Sequence, residues 1–164
     1  KRVDTSRACA FGMSYGGYAA LMLSMREGMT RCTVAVAPAT DLRMLIADKL
    51  KLSPEMELKA ETTEWFNKIL GDRKKDKARL DTASPVFRSE EVGTPVLLIH
   101  AANDRMVPVK HSRKMHTALR RVKKAVEYHE LPRGGHSLEK GAIYRVTDLA
   151  KEFIDQHIGI GVKP

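Results

Sequence analysis

The sequence predicts an α/β fold in which a parallel sheet is covered by helices on both faces. Four short apolar runs alternate with stretches of helical periodicity, which is typical of parallel β-α-β units. One of these runs, Val96-Leu97-Leu98-Ile99, is continuously apolar, as expected for a strand that is buried on both faces. The chain of 164 residues, 43% of them hydrophobic, is long enough for one domain with its own core.

The apolar runs predict four strands, at 8–11, 32–37, 96–100 and 126–131. The second run is ended by Pro38, and the third is introduced by Gly93-Thr94-Pro95. Helical pieces are predicted at 42–50 and 63–70, within a looser segment between the second and third strands. Apolar stripes at helical spacing predict three longer helices, carried by Tyr18, Leu21, Met22, Met25 and Met29, then Met115, Ala118, Leu119 and Val122, and finally Ile143, Val146, Ala150, Phe153 and Ile154.

The formal net charge of +9 permits binding to nucleic acid without requiring it. The basic stretches at 73–77 and 113–124 contain few aromatic residues and no nucleic-acid motif, so we interpret them as solvated faces and expect no nucleic-acid partner. No apolar run approaches the roughly 18 residues that a membrane span needs. Cys9 and Cys32 are too few for a disulfide scaffold, and we expect them to act as small core residues.

The glycine-rich stretch Gly12-Met13-Ser14-Tyr15-Gly16-Gly17 has the form G-x-S-x-G. It follows the first predicted strand and precedes the first helix, which is the context of a nucleophile elbow. Such a turn lifts the serine hydroxyl above the sheet, and it needs small neighbours because strand and helix backbones pass closely. We therefore predict Ser14 as a nucleophile and the backbone N–H of Tyr15 as an oxyanion-hole donor.

Two further candidates follow later strands. Asp104 comes after the third strand and His136 after the fourth, so both are expected at the sheet edge that carries Ser14. Ser, then Asp, then His is the chain order of the α/β-hydrolases, which makes the predicted fold an α/β-hydrolase fold. His136 would accept the Ser14 proton, and Asp104 would hold the imidazole in the right tautomer. Asp41, after the second strand, is the rival acid.

The spacing of the other potential ligands predicts neither a metal nor a cofactor. His111 and His116 are five residues apart on a predicted helix, which does not match the i, i+4 pairing of helical zinc sites. The two cysteines are too far apart in sequence to give the spacing of a zinc finger.

Nearly the whole chain resembles the catalytic domain of the prolyl oligopeptidase family of serine peptidases. The matching motifs are Gly12-Met13-Ser14-Tyr15-Gly16-Gly17-Tyr18, Ser84-Pro85, Thr94-Pro95-Val96-Leu97-Leu98-Ile99-His100, Asn103-Asp104-Arg105-Met106-Val107-Pro108 and Gly135-His136. The resemblance implies a Ser14-Asp104-His136 triad that cleaves peptides through an acyl-enzyme. One departure is Ala101, at a position where the family usually has glycine.

The resemblance also implies substrate contacts. Tyr15 would line the primary pocket, Met106 and Val107 would lie beside the acid, and Trp65 or Phe66 would supply an aromatic wall. Trp65 and Phe66 are equally consistent with the core side of a helix, because Ile69 and Leu70 follow at helical spacing.

About eight strands make up a full α/β-hydrolase, and only the last four are predicted here. We therefore expect residues 1–164 to be the C-terminal portion of the catalytic domain. The partners that the resemblance implies are the rest of that domain, a β-propeller, a peptide substrate and a second copy of the full-length enzyme. The sequence begins at Lys1-Arg2-Val3-Asp4 without a recognisable signal peptide, so the compartment stays open, with the cytoplasm favoured.

Two other functions remain open at this point. An esterase or lipase on the same fold would use an identical triad, because acyl transfer to serine is common to esters and amides. A non-catalytic binding module is the second alternative, although such a role needs none of Ser14, Asp104 and His136.

Overall fold

A computed structural model of the chain describes residues 4–49, 68, 71 and 75–159. Within these residues the chain forms one parallel sheet of four strands in the sequential order β1-β2-β3-β4. The strands are β1 (Cys9–Met13), β2 (Cys32–Val36), β3 (Val96–Ala101) and β4 (Val126–Leu131). The predicted α/β-hydrolase fold is confirmed, and each predicted strand is present to within two residues at either end.

Five helices accompany the sheet within the described ranges: α1 (Tyr15–Leu23), α2 (Leu42–Lys49), α3 (Lys77–Thr82), α4 (Lys110–Arg121) and α5 (Lys140–Ile158). Short 3-10 helices cover Thr5–Arg7 and Pro85–Glu91. None of the described helices combines the length and the apolar character that a bilayer crossing requires. The predicted helical piece at 63–70 lies outside the described residues except for Lys68.

Helices cover both faces of the sheet and bury its two central strands. Helices α1 and α4 pack on one face, where Leu21 and Met115 meet Leu98 of β3. Helix α5 packs on the other face, where Phe153 meets Val34 of β2. All residues of β2 and β3 are buried as a result, as the continuous apolar run in β3 predicts.

All three predicted helical stripes differ from the structure at their ends, and Val122, the last residue of the second stripe, directly follows α4. Helix α1 stops at Leu23, because the Ser24 hydroxyl donates to the Leu21 carbonyl oxygen at 2.6 Å and the chain then turns through Gly28, whose φ is 73°. Met29 consequently lies outside the helix and is exposed. In α5, Ile143 is also exposed, since the stripe that faces the sheet begins with Val146.

The two cysteines lie in or against the core, as expected, but Cys9 and Cys32 also form a disulfide, which was not expected. The parallel register places Cys9 directly opposite Cys32, with their Cα atoms 4.6 Å apart, a separation that suits a disulfide. The bond joins β1, which leads into the predicted nucleophile, to the buried strand β2. The sequence does not reveal this pairing, because cysteine spacing alone does not fix how two parallel strands align.

Candidate active site

The turn between β1 and α1 places Ser14 at the carboxyl edge of the sheet in a strained backbone conformation. Its φ of 57° and ψ of −121° lie in a region that residues with side chains rarely adopt. The Ser14 N–H donates to the Val36 carbonyl oxygen at 2.8 Å, and the Ser14 carbonyl accepts the Tyr18 N–H at 3.0 Å. These two bonds fasten the turn to β2 and α1, so the hydroxyl is held in one place.

Close packing of the two backbones explains the glycine before the serine. A Cβ atom on Gly12 would overlap the backbone carbonyl of Gly16, and one on Gly17 would lie 3.0 Å from the Val36 carbonyl oxygen. A Cβ atom on Gly16 would meet no atom of the described residues within 4 Å. Within this part of the chain, a small residue is therefore needed at 12 and 17 rather than at 16.

We expect Gly12→Ala to destabilise the protein, because only a shift of backbone against backbone can relieve the overlap. The free energy of unfolding should fall by about 3 kcal/mol. Denaturant unfolding of the whole protein measures this change. The matched control is Gly16→Ala, which should be neutral or slightly stabilising because the added methyl group meets no atom of the residues that the structure describes within 4 Å. An equal loss in both variants would contradict the packing argument.

Asp104 follows β3 and is buried, and its two carboxylate oxygens have separate partners. Oδ1 accepts the backbone N–H groups of Met106 at 2.8 Å and Val107 at 2.9 Å. Oδ2 accepts the Nδ1–H of His136 at 2.8 Å. Burial raises the pKa of Asp104, but hydrogen bonding by the side chains of His100 and His136 and by the Val107 N–H outweighs it. The net pKa lies well below its usual range, so Asp104 is a carboxylate at neutral pH.

His136 connects this carboxylate to the serine. Its Nδ1 faces Asp104, so the acceptor there fixes the proton on Nδ1, and its Nε2 lies 2.9 Å from Ser14 Oγ as an acceptor for the hydroxyl proton. The structure thus brings together all three residues that the chain order predicts, although Ser14 and His136 are 122 residues apart in the sequence. A serine, a neutral imidazole and a carboxylate in this order can transfer a proton away from the hydroxyl.

A turn formed by two glycines directly precedes His136 and places it between Asp104 and Ser14. Gly134 and Gly135 both have positive φ, of 149° and 59°, which glycine adopts at little cost. The Gly135 N–H donates at 2.9 Å to the Asn103 side-chain oxygen, so the loop of the histidine is fastened to the loop of the acid. Sequence reasoning did not identify Asn103 as part of this arrangement.

The predicted substrate contacts have different exposures. Within the described part of the chain, Tyr15 has 78% of its surface exposed next to the serine, and Met106 has 47% exposed next to the acid. Val107 is buried, and its backbone N–H donates to Asp104. Trp65 and Phe66 lie outside the described residues, so their predicted role remains a prediction.

The backbone N–H of Tyr15 makes no hydrogen bond with the parts of the chain that the structure describes. Such a free N–H is expected at the first residue of a helix, and it leaves a donor directly after the serine.

Asp41, the rival acid, has different partners. One of its oxygens accepts the Met44 N–H at 3.0 Å, at the start of α2, and the other pairs with Lys114 at 2.6 Å. His111 is the histidine beside it, but its Nδ1 accepts the Thr40 and Asp41 N–H groups. Burial lowers the pKa of His111 to about 4, so this imidazole is neutral and structural.

Sequence reasoning also overlooked His100, the second histidine near Asp104. It lies at the end of β3 with no exposed surface, and its Nε2 is 3.3 Å from Asp104 Oδ2. The signal was present, since His100 is a polar residue that directly follows the apolar run of a buried strand.

A metal site is not evident among the residues that the structure describes, where no three His, Cys, Asp or Glu side chains cluster suitably. The candidate site therefore consists of the serine, the imidazole and the carboxylate, with a backbone N–H beside them.

The model of the prolyl oligopeptidase family matches residues 1–161 of the chain. Among curated proteins, the uncharacterized peptidase YuxL of Bacillus subtilis (strain 168) is 25% identical over 162 residues, covering 95% of this chain and 23% of YuxL.

Solved structures of three peptidases share the fold. Pyrococcus horikoshii acylaminoacyl peptidase matches with a TM-score of 0.78 and 21% identity, over 98% of this chain and 25% of its own. A puromycin-hydrolyzing peptidase of Mycobacterium tuberculosis matches with a TM-score of 0.79 and 21% identity, over 98% and 24%. Porphyromonas gingivalis dipeptidyl peptidase 4 matches with a TM-score of 0.75 and 18% identity, over 94% and 20%. The chain thus spans about a quarter of the length of these relatives.

Proposed function

The chain belongs to the prolyl oligopeptidase family, and we propose that it is the C-terminal portion of the catalytic domain of a serine peptidase. The observation that carries the proposal is the hydrogen-bonded series from Ser14 Oγ through His136 to Asp104. The relatives that share the fold are named as peptidases, and the chain spans about a quarter of their length. The rest of the catalytic domain and a β-propeller would then precede these residues.

The reaction would begin when His136 Nε2 takes the proton of Ser14 Oγ and the oxygen attacks the carbonyl carbon of a peptide bond. The negative charge that develops on the carbonyl oxygen would be stabilised by the Tyr15 N–H, because this group has no partner within the described chain. The imidazolium, held by the Asp104 carboxylate, would then protonate the leaving amine. Water would hydrolyse the resulting acyl-enzyme by the same proton transfers in reverse.

Substrate selection would involve the accessible side chains beside this centre. Tyr15 is the most exposed aromatic residue next to the serine, and Met106 is exposed next to the acid. We propose that the Tyr15 and Met106 side chains contact a bound peptide on one or the other side of the bond that is cleaved. Trp65 and Phe66 remain candidates for an aromatic wall.

Fluorophosphonate labelling of the whole protein tests the proposal. An activated serine forms a covalent phosphonyl adduct, so we expect a mass increase on the peptide that contains Ser14. An unlabelled protein that is folded would favour the binding-module alternative.

Comparing rates on an aminoacyl amide and on a simple acyl ester then separates a peptidase from an esterase, since only a peptidase should cleave the amide efficiently.

A further inference from the structure

A second buried histidine lies against the carboxylate of the candidate triad. His100 is the penultimate residue of the buried strand β3 and, like the Asp104 side chain, has no exposed surface. Its ring has polar partners at both nitrogens: Nδ1 lies 2.7 Å from Ser112 Oγ, and Nε2 lies 2.8 Å from the Val107 carbonyl oxygen. A buried ring with both nitrogens satisfied is held in a single orientation.

The Val107 contact determines where the ring carries a proton. A carbonyl oxygen only accepts hydrogen bonds, so Nε2 must be the protonated nitrogen. The same Nε2–H group lies 3.3 Å from Asp104 Oδ2, the oxygen that also accepts the His136 Nδ1–H. Two imidazole N–H groups therefore converge on one carboxylate oxygen.

Val107 links His100 to the other carboxylate oxygen as well. Its carbonyl accepts the His100 Nε2–H, while its own N–H donates to Asp104 Oδ1. The two groups belong to adjacent peptide units that are joined at the Val107 Cα, so the contact with His100 restrains the residue that holds Oδ1. His100 thus acts on both oxygens of the carboxylate, on one directly and on the other through the Val107 backbone.

We propose that His100 is a positioning residue that orients the Asp104 carboxylate toward His136. This inference rests on the proposed function, because it assigns a role relative to Ser14, Asp104 and His136. His100 sets the direction of Oδ2 and moderates its negative charge. It thereby tunes how strongly Asp104 stabilises the protonated form of His136.

The charged and titratable groups around His100 come from three elements. Asp104 follows its own strand, Glu130 lies opposite it in β4, and His111 lies at the start of α4. Glu130 is paired with Arg113, and His111 is neutral, so the anion that responds to a change at His100 is Asp104, whose oxygens are hydrogen-bonded to His136 and to backbone N–H groups.

The test measures the rate of fluorophosphonate labelling of the whole protein against pH. His100→Leu removes the N–H group and should slow labelling about tenfold or more. It should also move the acid limb of the pH profile to higher pH, because an unmoderated carboxylate favours the His136 imidazolium. His100→Gln offers an N–H near the Nε2 position and should recover most of the rate. Ser112→Ala, a milder change, should slow labelling about fivefold or less.

The matched control is His111→Gln, which alters an equally buried histidine that does not contact Asp104. The acid limb of its pH profile for labelling should stay at the same pH as in the wild-type protein. A His100→Leu variant as fast as wild type, an acid limb at or below the wild-type pH, or no recovery in His100→Gln would overturn the inference. A wild-type protein that does not label would instead refute the proposed function, so the two failures are distinguishable.

Discussion

Ser14→Ala is expected to lower peptide turnover by the whole protein by about ten-thousandfold to a millionfold. The Ser14 hydroxyl lies 2.9 Å from His136 Nε2. Its loss removes the nucleophile and leaves the imidazole without a proton to accept from it. Alanine suits the strained turn no worse than serine does, because both have a Cβ atom at the same φ of 57°. The variant should therefore fold normally, as circular dichroism and thermal melting would show.

The matched control for this substitution is Ser24→Ala, at the opposite end of helix α1. Its hydroxyl donates to the Leu21 carbonyl oxygen and has no role at the sheet edge. Turnover and fluorophosphonate labelling should persist in this variant. A Ser14→Ala protein that retained turnover would refute the assignment of Ser14 as the nucleophile.

The sequence predicts the position of the site better than its details, for a physical reason. Parallel strands bring their carboxyl ends to one edge, so the order of strands and of the residues after them already places Ser14, Asp104 and His136 together. A nucleophile elbow is also a local feature, which its glycines reveal without knowledge of the rest of the fold.

Contacts between elements that are distant in sequence were harder to predict. The Cys9–Cys32 disulfide depends on the register of β1 against β2, and neither strand encodes this register by itself. The roles of Asn103 and His100 depend on which loop or helix lies opposite each of them. The sequence shows His100 only as a residue of the third strand, and its role becomes clear from the contacts of its ring with Val107 and Ser112.

Asp104→Asn should lower turnover by about ten-thousandfold in a protein that still folds but is less stable, because the buried NH2 group would also face the His100 Nε2–H. The amide oxygen of asparagine can still accept the Met106 and Val107 N–H groups, so the loop keeps its shape. The amide NH2 group, however, would then face His136 Nδ1 as a donor. It would drive the imidazole proton to Nε2, where the imidazole could no longer accept the Ser14 proton. Steady-state kinetics on a peptide substrate measure the loss, which should lie in kcat rather than in KM.

Asp41→Asn is the control that distinguishes this tautomer effect from the general loss of a buried carboxylate. Asp41 also follows a strand of the sheet and is also buried, but it pairs with Lys114 and caps α2 instead of contacting His136. Its replacement should cost stability and leave turnover nearly unchanged at temperatures well below melting. Equal loss of turnover in both variants would mean that the acid has been misassigned. A loss of turnover in Asp104→Asn but not in Asp41→Asn would show that the carboxylate beside His136 Nδ1 is the one that turnover needs. At that position the exchange of oxygen for NH2 reverses the direction of the hydrogen bond to His136.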